Sequence, residues 1–268
     1  AVPVSADQVQ FAHMIIDPVF RSEGVAVADV NRDGLKDILV GDYWYEAPDW
    51  NIHEVRPPET YDAANGYSRS FADFVKDVDK DGWTDLIVMG FPGTPAFWYK
   101  NPGPVDEHWK EYLLATAACG ETPVFGDLTG DGNPEPLFAL NKRITFFLPG
   151  QDVTAPWLAY PMSYVHDDFE VFGHGLGIGD VNCDGRNDVL ITEGWYQGPA
   201  DVTRPDWELR RADFGPACAN MLVYDVNGDG RNDVLTSSAH EYGVWWFEQD
   251  AEGGFTRHEI DKSISQTH

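Results

Sequence analysis

The sequence is poor in cysteine, with three cysteines among 268 residues. Because three is an odd number, the chain cannot pair all of its thiols. Cys183 lies inside a repeated loop, at a position that does not ligate a metal. Cys119 and Cys218 each precede an inner strand two repeats apart, so a bridge between them is one alternative and unpaired thiols are the other.

Positive charge is also scarce. Lysine and arginine together number 18 against 45 aspartates and glutamates, for a net charge of −27. This imbalance argues against a nucleic-acid partner and against binding to an anionic membrane. No apolar run is long enough to insert into a membrane. The chain also lacks a helical pattern of useful length, a linker and a second domain. With 43% hydrophobic and 13% aromatic residues, it can still bury a large core.

One nine-residue stretch organises the chain. In DVNCDGRND, the oxygen-bearing residues Asp180, Asn182, Asp184 and Asp188 occupy positions one, three, five and nine, and Gly185 occupies position six. Alternating hard oxygen ligands with a glycine at the turn are typical of the front half of a calcium loop. Unlike an EF-hand, the loop has no glutamate at position twelve, and its flanks predict strands rather than helices.

The stretch occurs five times, with starts 48, 50, 53 and 45 residues apart. The predicted metal ligands are Asp29, Asn31, Asp33, Asp37, Asp77, Asp79, Asp81, Asp85, Asp127, Thr129, Asp131, Glu135, Asp180, Asn182, Asp184, Asp188, Asp225, Asn227, Asp229 and Asp233. These loops hold 16 of the 45 acidic residues, so we expect Ca²⁺, or Mg²⁺, to stabilise the fold. Tight Asp/Asn/Gly turns without metal are the alternative. The third copy is predicted to bind most weakly, because it carries Thr129 and Pro134.

A period of this length, with four short strands per repeat, predicts an all-β protein, a β-propeller of four-stranded blades. We expect a single domain over 1–268, with five blade repeats at about 24–60, 71–116, 122–165, 175–212 and 220–261. Residues 11–17 resemble the last outer strand and predict an extra one. Because that strand has no inner set to complete, either the ring is larger than this chain or one strand is left over.

The topology selects candidate site residues. The calcium loops join the first and second strands of each blade, so the loops leading into the first strands meet at the opposite mouth of the central channel. The predicted catalytic residues there are His174, His240, Glu121 and Arg69. The predicted substrate-binding residues are Glu23, Asn220, Tyr242 and Trp195, and a mouth metal such as Zn²⁺ is predicted at His174, Glu121 and His268.

Each of these residues also has a purely structural interpretation. A lone histidine is more often structural than catalytic, Glu121 could cap a turn, and Arg69 could pair with nearby carboxylates. The remaining histidines are predicted to be structural, namely His13, His53, His108, His166 and His258. Aromatic residues in the third strands are predicted to pack between blades, namely Trp44, Trp98, Phe146, Trp195 and Trp245.

The five copies resemble the FG-GAP/VCBS-type calcium repeats of extracellular propellers. The segments SRSFADFVKDVDKDGWTDLIVMGFPG, HGLGIGDVNCDGRNDVL, AHEYGVWWFEQ and SQTH are similar to bacterial repeat proteins related to the propeller domain of aldos-2-ulose dehydratase, also called 1,5-anhydro-D-fructose dehydratase. This resemblance implies a seven-bladed ring. In the fungal enzymes cupin domains follow the propeller and the sugar binds near their boundary, whereas this chain has no cupin segment.

The resemblance and the candidate mouth together imply a carbohydrate-active lyase, a dehydratase acting on a keto-sugar such as 1,5-anhydrofructose or an aldos-2-ulose. The alternative is a non-catalytic, calcium-stabilised propeller that binds carbohydrate or protein. Partners are expected to be a carbohydrate and further blades, or a partner domain, that complete the ring. The start AVPVSADQ fits a mature terminus after cleavage, and the calcium loops favour the periplasm or secretion.

Overall fold

The protein is all-β in a computed structural model, which describes residues 11–215 and 217–267. Repeat one contains β1 (Ala26–Ala28), β2 (Asp37–Val40), β3 (Tyr43–Glu46) and β4 (Asn51–Glu54). Repeats two and three contain β5 (Ala72–Lys76), β6 (Asp85–Met89), β7 (Thr94–Lys100), β8 (Lys110–Gly126), β9 (Glu135–Leu140), β10 (Arg143–Leu148) and β11 (Leu158–Pro161). Repeat four contains β12 (Gly177–Gly179), β13 (Asp188–Ile191), β14 (Gly194–Gln197) and β15 (Glu208–Arg211). Repeat five contains β16 (Leu222–Tyr224), β17 (Asp233–Ser237), β18 (Tyr242–Gln249) and β19 (Phe255–Ser265).

These strands form antiparallel sheets in chain order, as expected for a propeller-like fold. Repeats one, four and five are four-stranded sheets, whereas repeats two and three form one seven-stranded sheet. The first strands lie side by side in space, because β1 contacts β5, β8 contacts β12, and β12 contacts β16. Among the described residues, β16 of repeat five makes no comparable contact with β1 of repeat one, so the sheets do not close into a ring.

The seven-stranded sheet corrects the predicted boundary between repeats two and three. The sequence predicted an outer strand ending at 116, a loop, and an inner strand from 122, but β8 runs through the whole segment. The chain changes neighbours within β8 by a register shift between Cys119 and Val124, with Gly120 at φ 96°. A bulge of this kind bends a strand without ending its hydrogen bonding, because the extra residues are accommodated locally. Glu121 therefore lies on a strand rather than in a loop.

The predicted extra strand at 11–17 is not formed. This segment pairs with no edge of the repeat-one sheet, where β4 already forms the outer edge. It is fastened instead by Asp17, which accepts hydrogen bonds from Arg21 Nε at 2.8 Å and Tyr45 OH at 2.6 Å. The segment thus lies near one face of repeat one, where Ile15, Ile38 and Tyr45 line a shared surface depression.

Close packing between neighbouring repeats requires bare backbone on the inner strands. A Cβ atom on Gly177 of β12 would lie 2.2 Å from the carbonyl oxygen of Met221 beside β16. Such a contact is far shorter than van der Waals separation, so repeats four and five can approach only with glycine there.

Aromatic side chains of the third strands fill the core as predicted: Trp98 and Phe146 are fully buried, and Trp195 and Trp245 nearly so.

The cysteines do not pair. Cys119 and Cys218 are buried free thiols, and Cys183 is an exposed one. The bridge considered between Cys119 and Cys218 is therefore absent. Burial raises the pKa of both buried thiols, which makes them unreactive in the folded protein.

Among the described residues, no helix is long and apolar enough to span a membrane.

Candidate functional site

A cavity of about 690 Å³ opens where repeats two, three, four and five meet. We call it the first cavity. Its lining includes Glu121 of β8, His174 just before β12, and His240 between β17 and β18. The sequence predicted that these three residues, from three different repeats, would meet at one mouth, and the fold does bring them together. The volume lies within the range of roughly 300–1,000 Å³ that is usual for small-ligand pockets.

His174 and Glu121 form the polar centre of this cavity. His174 Nε2 lies 2.6 Å from Glu121 Oε2, and the ring centroid of His240 lies 4.4 Å from that of His174. Backbone pairing sets the contact, because Glu121 N donates to the carbonyl oxygen of Gly173 at 2.8 Å. The residue after Gly173 is thereby held beside β8. A carboxylate that orients an imidazole is an arrangement that can bind hydroxyls or transfer a proton.

Aromatic rings form another part of the wall. Tyr67 and Phe91 have ring centroids 4.7 Å apart, and Phe91 and Phe172 have centroids 5.6 Å apart. Tyr67 is 60% exposed and Phe172 is 50% exposed, so both rings offer free surface to a ligand. Large exposed aromatic residues grouped in a cavity are typical of a binding site rather than of a core.

Further polar groups surround the centre. His166 is buried, its Nε2 atom lies 2.7 Å from Tyr196 OH, and burial lowers its pKa. The hydrogen bond agrees with the structural role predicted for His166, although the side chain also lines the first cavity. Asp168 and Glu193 line the cavity as exposed carboxylates, and Glu193 is paired with Arg211. The first cavity is therefore acidic and aromatic.

A second cavity of about 500 Å³ adjoins the first, and Tyr67 and Glu121 line both. The second cavity is lined by the predicted binding residues Glu23 and Asn220, together with Thr122. These residues come from the entrances to the inner strands of repeats one, five and three, so the second cavity lies at the centre of the propeller-like array.

Three predicted site residues lie elsewhere. Arg69 lies outside the lining of both cavities. It donates hydrogen bonds to Asp42 at 3.1 Å and to Glu59 at 2.9 Å. Arg69 thus forms ion pairs with nearby carboxylates, as its structural interpretation anticipated. Trp195 is buried in the core between repeats four and five, because its ring packs with the apolar residues there. Tyr242 begins β18 and is exposed outside both linings. His268 lies outside the described residues.

Several lining residues were not predicted, notably the aromatic residues Tyr67, Phe91 and Phe172, together with Thr122 and Asp168. The sequence carries one signal that could have identified Phe91 and Phe172. Each aromatic residue lies next to proline or glycine in a loop, in GFPG and VFGHG, where no strand pattern explains it. Tyr67 follows Gly66 in a loop and carries the same signal. Thr122 carries no comparable signal, since its role depends on which repeats become neighbours.

The five repeated loops adopt one conformation. In each, the position-one aspartate accepts hydrogen bonds from the amides of positions five and six; in loop four Asp180 accepts from Asp184 N at 2.9 Å and Gly185 N at 2.8 Å. The glycine at position six has φ between 84° and 90° in all five loops. This left-handed conformation favours glycine over every other residue, as the sequence predicted.

In loops one, two, four and five, the aspartate at position nine accepts a hydrogen bond from a backbone amide at the end of the third strand of its repeat. Asp85 is fully buried and accepts hydrogen bonds from Val78 N and Asn101 N at 2.9 and 2.8 Å. Burial raises the pKa of Asp85 to about 7 and that of Asp188 to about 6. A carboxylate that is removed from water and lies beside other carboxylates favours either a proton or a cation.

Two loops bring carboxylates together closely enough to hold a metal ion. Asp77, Asp79 and Asp85 in loop two, and Asp127, Asp131 and Glu135 in loop three, have ligand oxygens within 4.8 Å of one another. Loops one, four and five carry asparagine at position three and so contribute one carboxylate fewer than loop two. Lys100 forms ion pairs with Asp79 and Asp81 in loop two, so its ammonium group neutralises part of the negative charge of that loop.

Comparison with known proteins supports the presence of the repeats and the propeller-like fold. Residues 77–137, which contain loops two and three, match the FG-GAP-like repeat family. No curated protein matches the chain. A lectin of Agrocybe aegerita, described as specifically recognising non-reducing terminal N-acetylglucosamine, is similar in structure with a TM-score of 0.58 and 20% identity, over 91% of this chain and 67% of the lectin.

A second similar structure is the Vibrio cholerae biofilm matrix protein Bap1, with a TM-score of 0.52 and 16% identity. The match covers 92% of this chain and 41% of Bap1. At these identities the likeness concerns the fold, and the chain spans only part of either protein. The predicted resemblance of the loops to FG-GAP repeats is confirmed for residues 77–137.

Proposed function

We propose that this protein is a calcium-stabilised, propeller-like module that binds a carbohydrate in the first cavity. The observation that carries the proposal is that Tyr67 and Phe172 line the same cavity as the Glu121–His174 pair. A sugar presents an apolar face of C–H groups and a rim of hydroxyls. Exposed aromatic rings can stack on the apolar face of the sugar, while carboxylate and imidazole groups can hydrogen-bond to its hydroxyls. The fold likeness to a lectin supports the same ligand class.

Within this proposal, the repeated loops hold Ca²⁺ or Mg²⁺. Carboxylate oxygens are the ligands that hard cations prefer, and loops two and three already place three of them around one point. A bound cation would supply charge neutralisation, so that Asp77, Asp79 and Asp85 can remain ionised in a tight turn. We place the protein outside the cytoplasm, in the periplasm or in secreted form, because such loops suit a calcium-rich space.

The proposal also includes further blades, or a partner domain, beside repeats one and five. Leu222 and Tyr224 of β16 are 63% and 68% exposed, and Val27 of β1 is 55% exposed. In the other repeats, the corresponding faces of the inner strands are covered by a neighbouring repeat. Additional blades of the same kind would cover these apolar side chains and complete the ring.

A keto-sugar dehydratase is the second candidate function, and it is favoured by the closeness of His174 and His240. In such a reaction a base removes the proton on the carbon beside the carbonyl, and the hydroxyl on the next carbon leaves with an added proton as water. The electron pair of the C–H bond becomes the new carbon–carbon double bond. His174, oriented by Glu121, would act as the base and His240 as the acid.

The mouth metal belongs to this second candidate. Among the described residues, the groups of three or more potential metal ligands are the two in the loops. The proposed Zn²⁺ site of His174, Glu121 and His268 includes a residue outside that part of the chain. It therefore stays a prediction, and no step of the elimination is assigned to the metal.

The test of carbohydrate binding is titration with a panel of neutral mono- and oligosaccharides by calorimetry. Tyr67→Ala and Phe172→Ala should each weaken binding about 3- to 10-fold, the loss expected for one stacking contact. Tyr242→Ala is the matched control, since Tyr242 is 64% exposed, against 60% for Tyr67, and lies outside both cavities. If no sugar binds, or if the control weakens binding as much as the two cavity variants, the proposal fails.

The dehydratase is tested by turnover of 1,5-anhydrofructose. Turnover that is unchanged in His174→Ala and Glu121→Ala would exclude this second candidate function.

A further inference from the structure

Thr122 belongs to the lining of the second cavity and has a buried hydroxyl without a hydrogen-bond partner. Its side chain is 2% exposed, its Oγ1 atom has no hydrogen-bond partner, and the residue lines that cavity. Burying a polar group without a partner is unfavourable, so few such groups persist in a folded protein without a reason. A ligand hydroxyl in the second cavity would give Thr122 its missing partner.

The other groups around Thr122 also suit a sugar. Asn220 is exposed and offers an amide that can both donate and accept a hydrogen bond. Glu23 is a carboxylate held in place by Ser68, whose backbone amide and hydroxyl both donate to it. Phe71 contributes an aromatic ring to the same lining. Donors, acceptors and apolar rings line a volume of about 500 Å³, so the second cavity resembles the first on a smaller scale.

The charges of the two linings restrict which sugars can enter. Within residues 11–215 and 217–267, neither lining contains a lysine or an arginine. Both contain carboxylates, including Glu121, which they share. A sugar bearing a carboxylate, sulfate or phosphate would meet like charge without a cationic partner, at an unfavourable electrostatic energy. A neutral sugar avoids this repulsion.

We propose that the second cavity is a second sugar subsite, so that the ligand is a neutral saccharide of at least two units that crosses the boundary formed by Tyr67 and Glu121. One unit occupies the first cavity and stacks on its aromatic rings. The adjoining unit occupies the second cavity and hydrogen-bonds to Thr122 Oγ1 and to Asn220. This inference rests on the carbohydrate-binding function proposed above, and it adds the minimum length and the charge of the ligand.

The experiment compares monosaccharides, disaccharides and trisaccharides of the neutral panel, with N-acetylglucosamine and its β-1,4-linked dimer and trimer among the probes. For the sugar that binds, the disaccharide should bind about tenfold more tightly than the monosaccharide. A uronate disaccharide of the same linkage should bind at least tenfold more weakly than the neutral one. Equal affinity of monosaccharide and disaccharide would overturn the second subsite while leaving the first-cavity proposal standing.

The decisive variant is Thr122→Val, which replaces the unpaired hydroxyl by a methyl group of the same shape. The ratio of disaccharide to monosaccharide affinity should fall about fivefold in Thr122→Val and remain near the wild-type ratio in Thr122→Ser. Because the hydroxyl has no partner in the ligand-free protein, the melting temperature of Thr122→Val should not decrease, which separates lost binding from lost folding.

Thr145→Val is the matched control, since Thr145 is a buried threonine of β10 outside both cavities. It should leave the affinity ratio unchanged. A ratio that is unaffected by Thr122→Val, or tighter binding of the uronate disaccharide, would overturn the inference. Failure of every neutral sugar to bind would overturn it together with the proposed function.

Discussion

Glu121 and His174 are 53 positions apart in the chain, and their side chains meet at 2.6 Å between Oε2 and Nε2. Glu121 belongs to β8, the strand shared by repeats two and three, and His174 precedes the first strand of repeat four. The contact therefore joins two repeats at the mouth of the first cavity. The pair lines this cavity together with exposed aromatic rings and with His240, so changing it tests both candidate functions.

Glu121→Gln should separate the charge of this pair from its shape. Glutamine retains an oxygen that accepts a hydrogen bond from His174 but loses the negative charge. If the protein only binds sugar, we expect affinity to fall by less than about tenfold, since a neutral hydrogen bond contributes about 1 kcal/mol. If His174 is a base oriented by Glu121, turnover of 1,5-anhydrofructose should instead fall by about 100-fold or more while KM changes little. Calorimetry and steady-state kinetics on the same variant distinguish the two.

Removal of calcium should destabilise the protein strongly. A ligand present at a thousand times its Kd stabilises the folded state by about 4 kcal/mol, which for a chain of this size corresponds to a melting temperature increase of about 10 °C. We expect at least this decrease when excess chelator replaces calcium in a calorimetric scan.

Asp79→Ala in loop two and Asp131→Ala in loop three should each reduce the difference between the calcium and chelator scans. Each variant removes one of three converging carboxylates. Asp106→Asn is the control, since it removes an exposed carboxylate outside the repeated loops. Identical melting curves with calcium and with chelator would show that the loops are ordinary turns. The predicted weakness of loop three is tested by comparing Asp131→Ala with Asp79→Ala at limiting calcium.

Asp73 should make stability depend on pH in a defined window. Burial raises its pKa from 3.8 to about 7, although Ser70 Oγ and Gly41 N donate hydrogen bonds to it. Because the folded protein binds this proton more tightly than the unfolded chain, the stabilising contribution is complete below about pH 4. It is lost as the pH rises from there to about 7.

The comparison that isolates this effect is wild type against Asp73→Asn in urea unfolding between pH 4 and pH 8, at constant calcium. The free energy of unfolding of the wild type should decrease relative to that of Asp73→Asn between pH 4 and pH 7 and run parallel above pH 7. Asp106→Asn, measured in the same way, should remain parallel to the wild type throughout. A constant difference between wild type and Asp73→Asn would contradict the raised pKa.

Gly177→Ala should destabilise the contact between repeats four and five. The added methyl group would lie 2.2 Å from Met221 O, and overpacking of this kind costs typically 1–3 kcal/mol. Gly66→Ala is the matched control, because a Cβ atom there meets no atom within 4 Å. Urea unfolding should show a lower midpoint for Gly177→Ala alone. Equal midpoints for the two variants would mean that the inner strands can separate without a measurable cost.

The sequence by itself determined the features that depend on short-range geometry. A residue that must adopt φ near +85°, such as Gly185, and ligand oxygens at alternate positions of one turn are visible in nine consecutive letters. The positions of most strands followed for the same reason, since each strand lies beside a loop of fixed conformation. The regular period then placed Glu121, His174 and His240 at one mouth, because equivalent positions of successive repeats lie on the same face.

The tertiary structure decided what depends on which side chains become neighbours. Arg69 and Trp195 occupy suitable positions in the repeat, yet the first is held by Asp42 and Glu59 and the second is buried between repeats. Conversely, Thr122 is unremarkable in sequence and acquires its interest only because folding leaves its hydroxyl without a partner beside a cavity. The continuous β8 belongs with these features, since a bulge replaces a turn only where the neighbouring strands β7 and β9 can both pair with it. Long-range packing and hydrogen-bond competition select among conformations that local sequence leaves open.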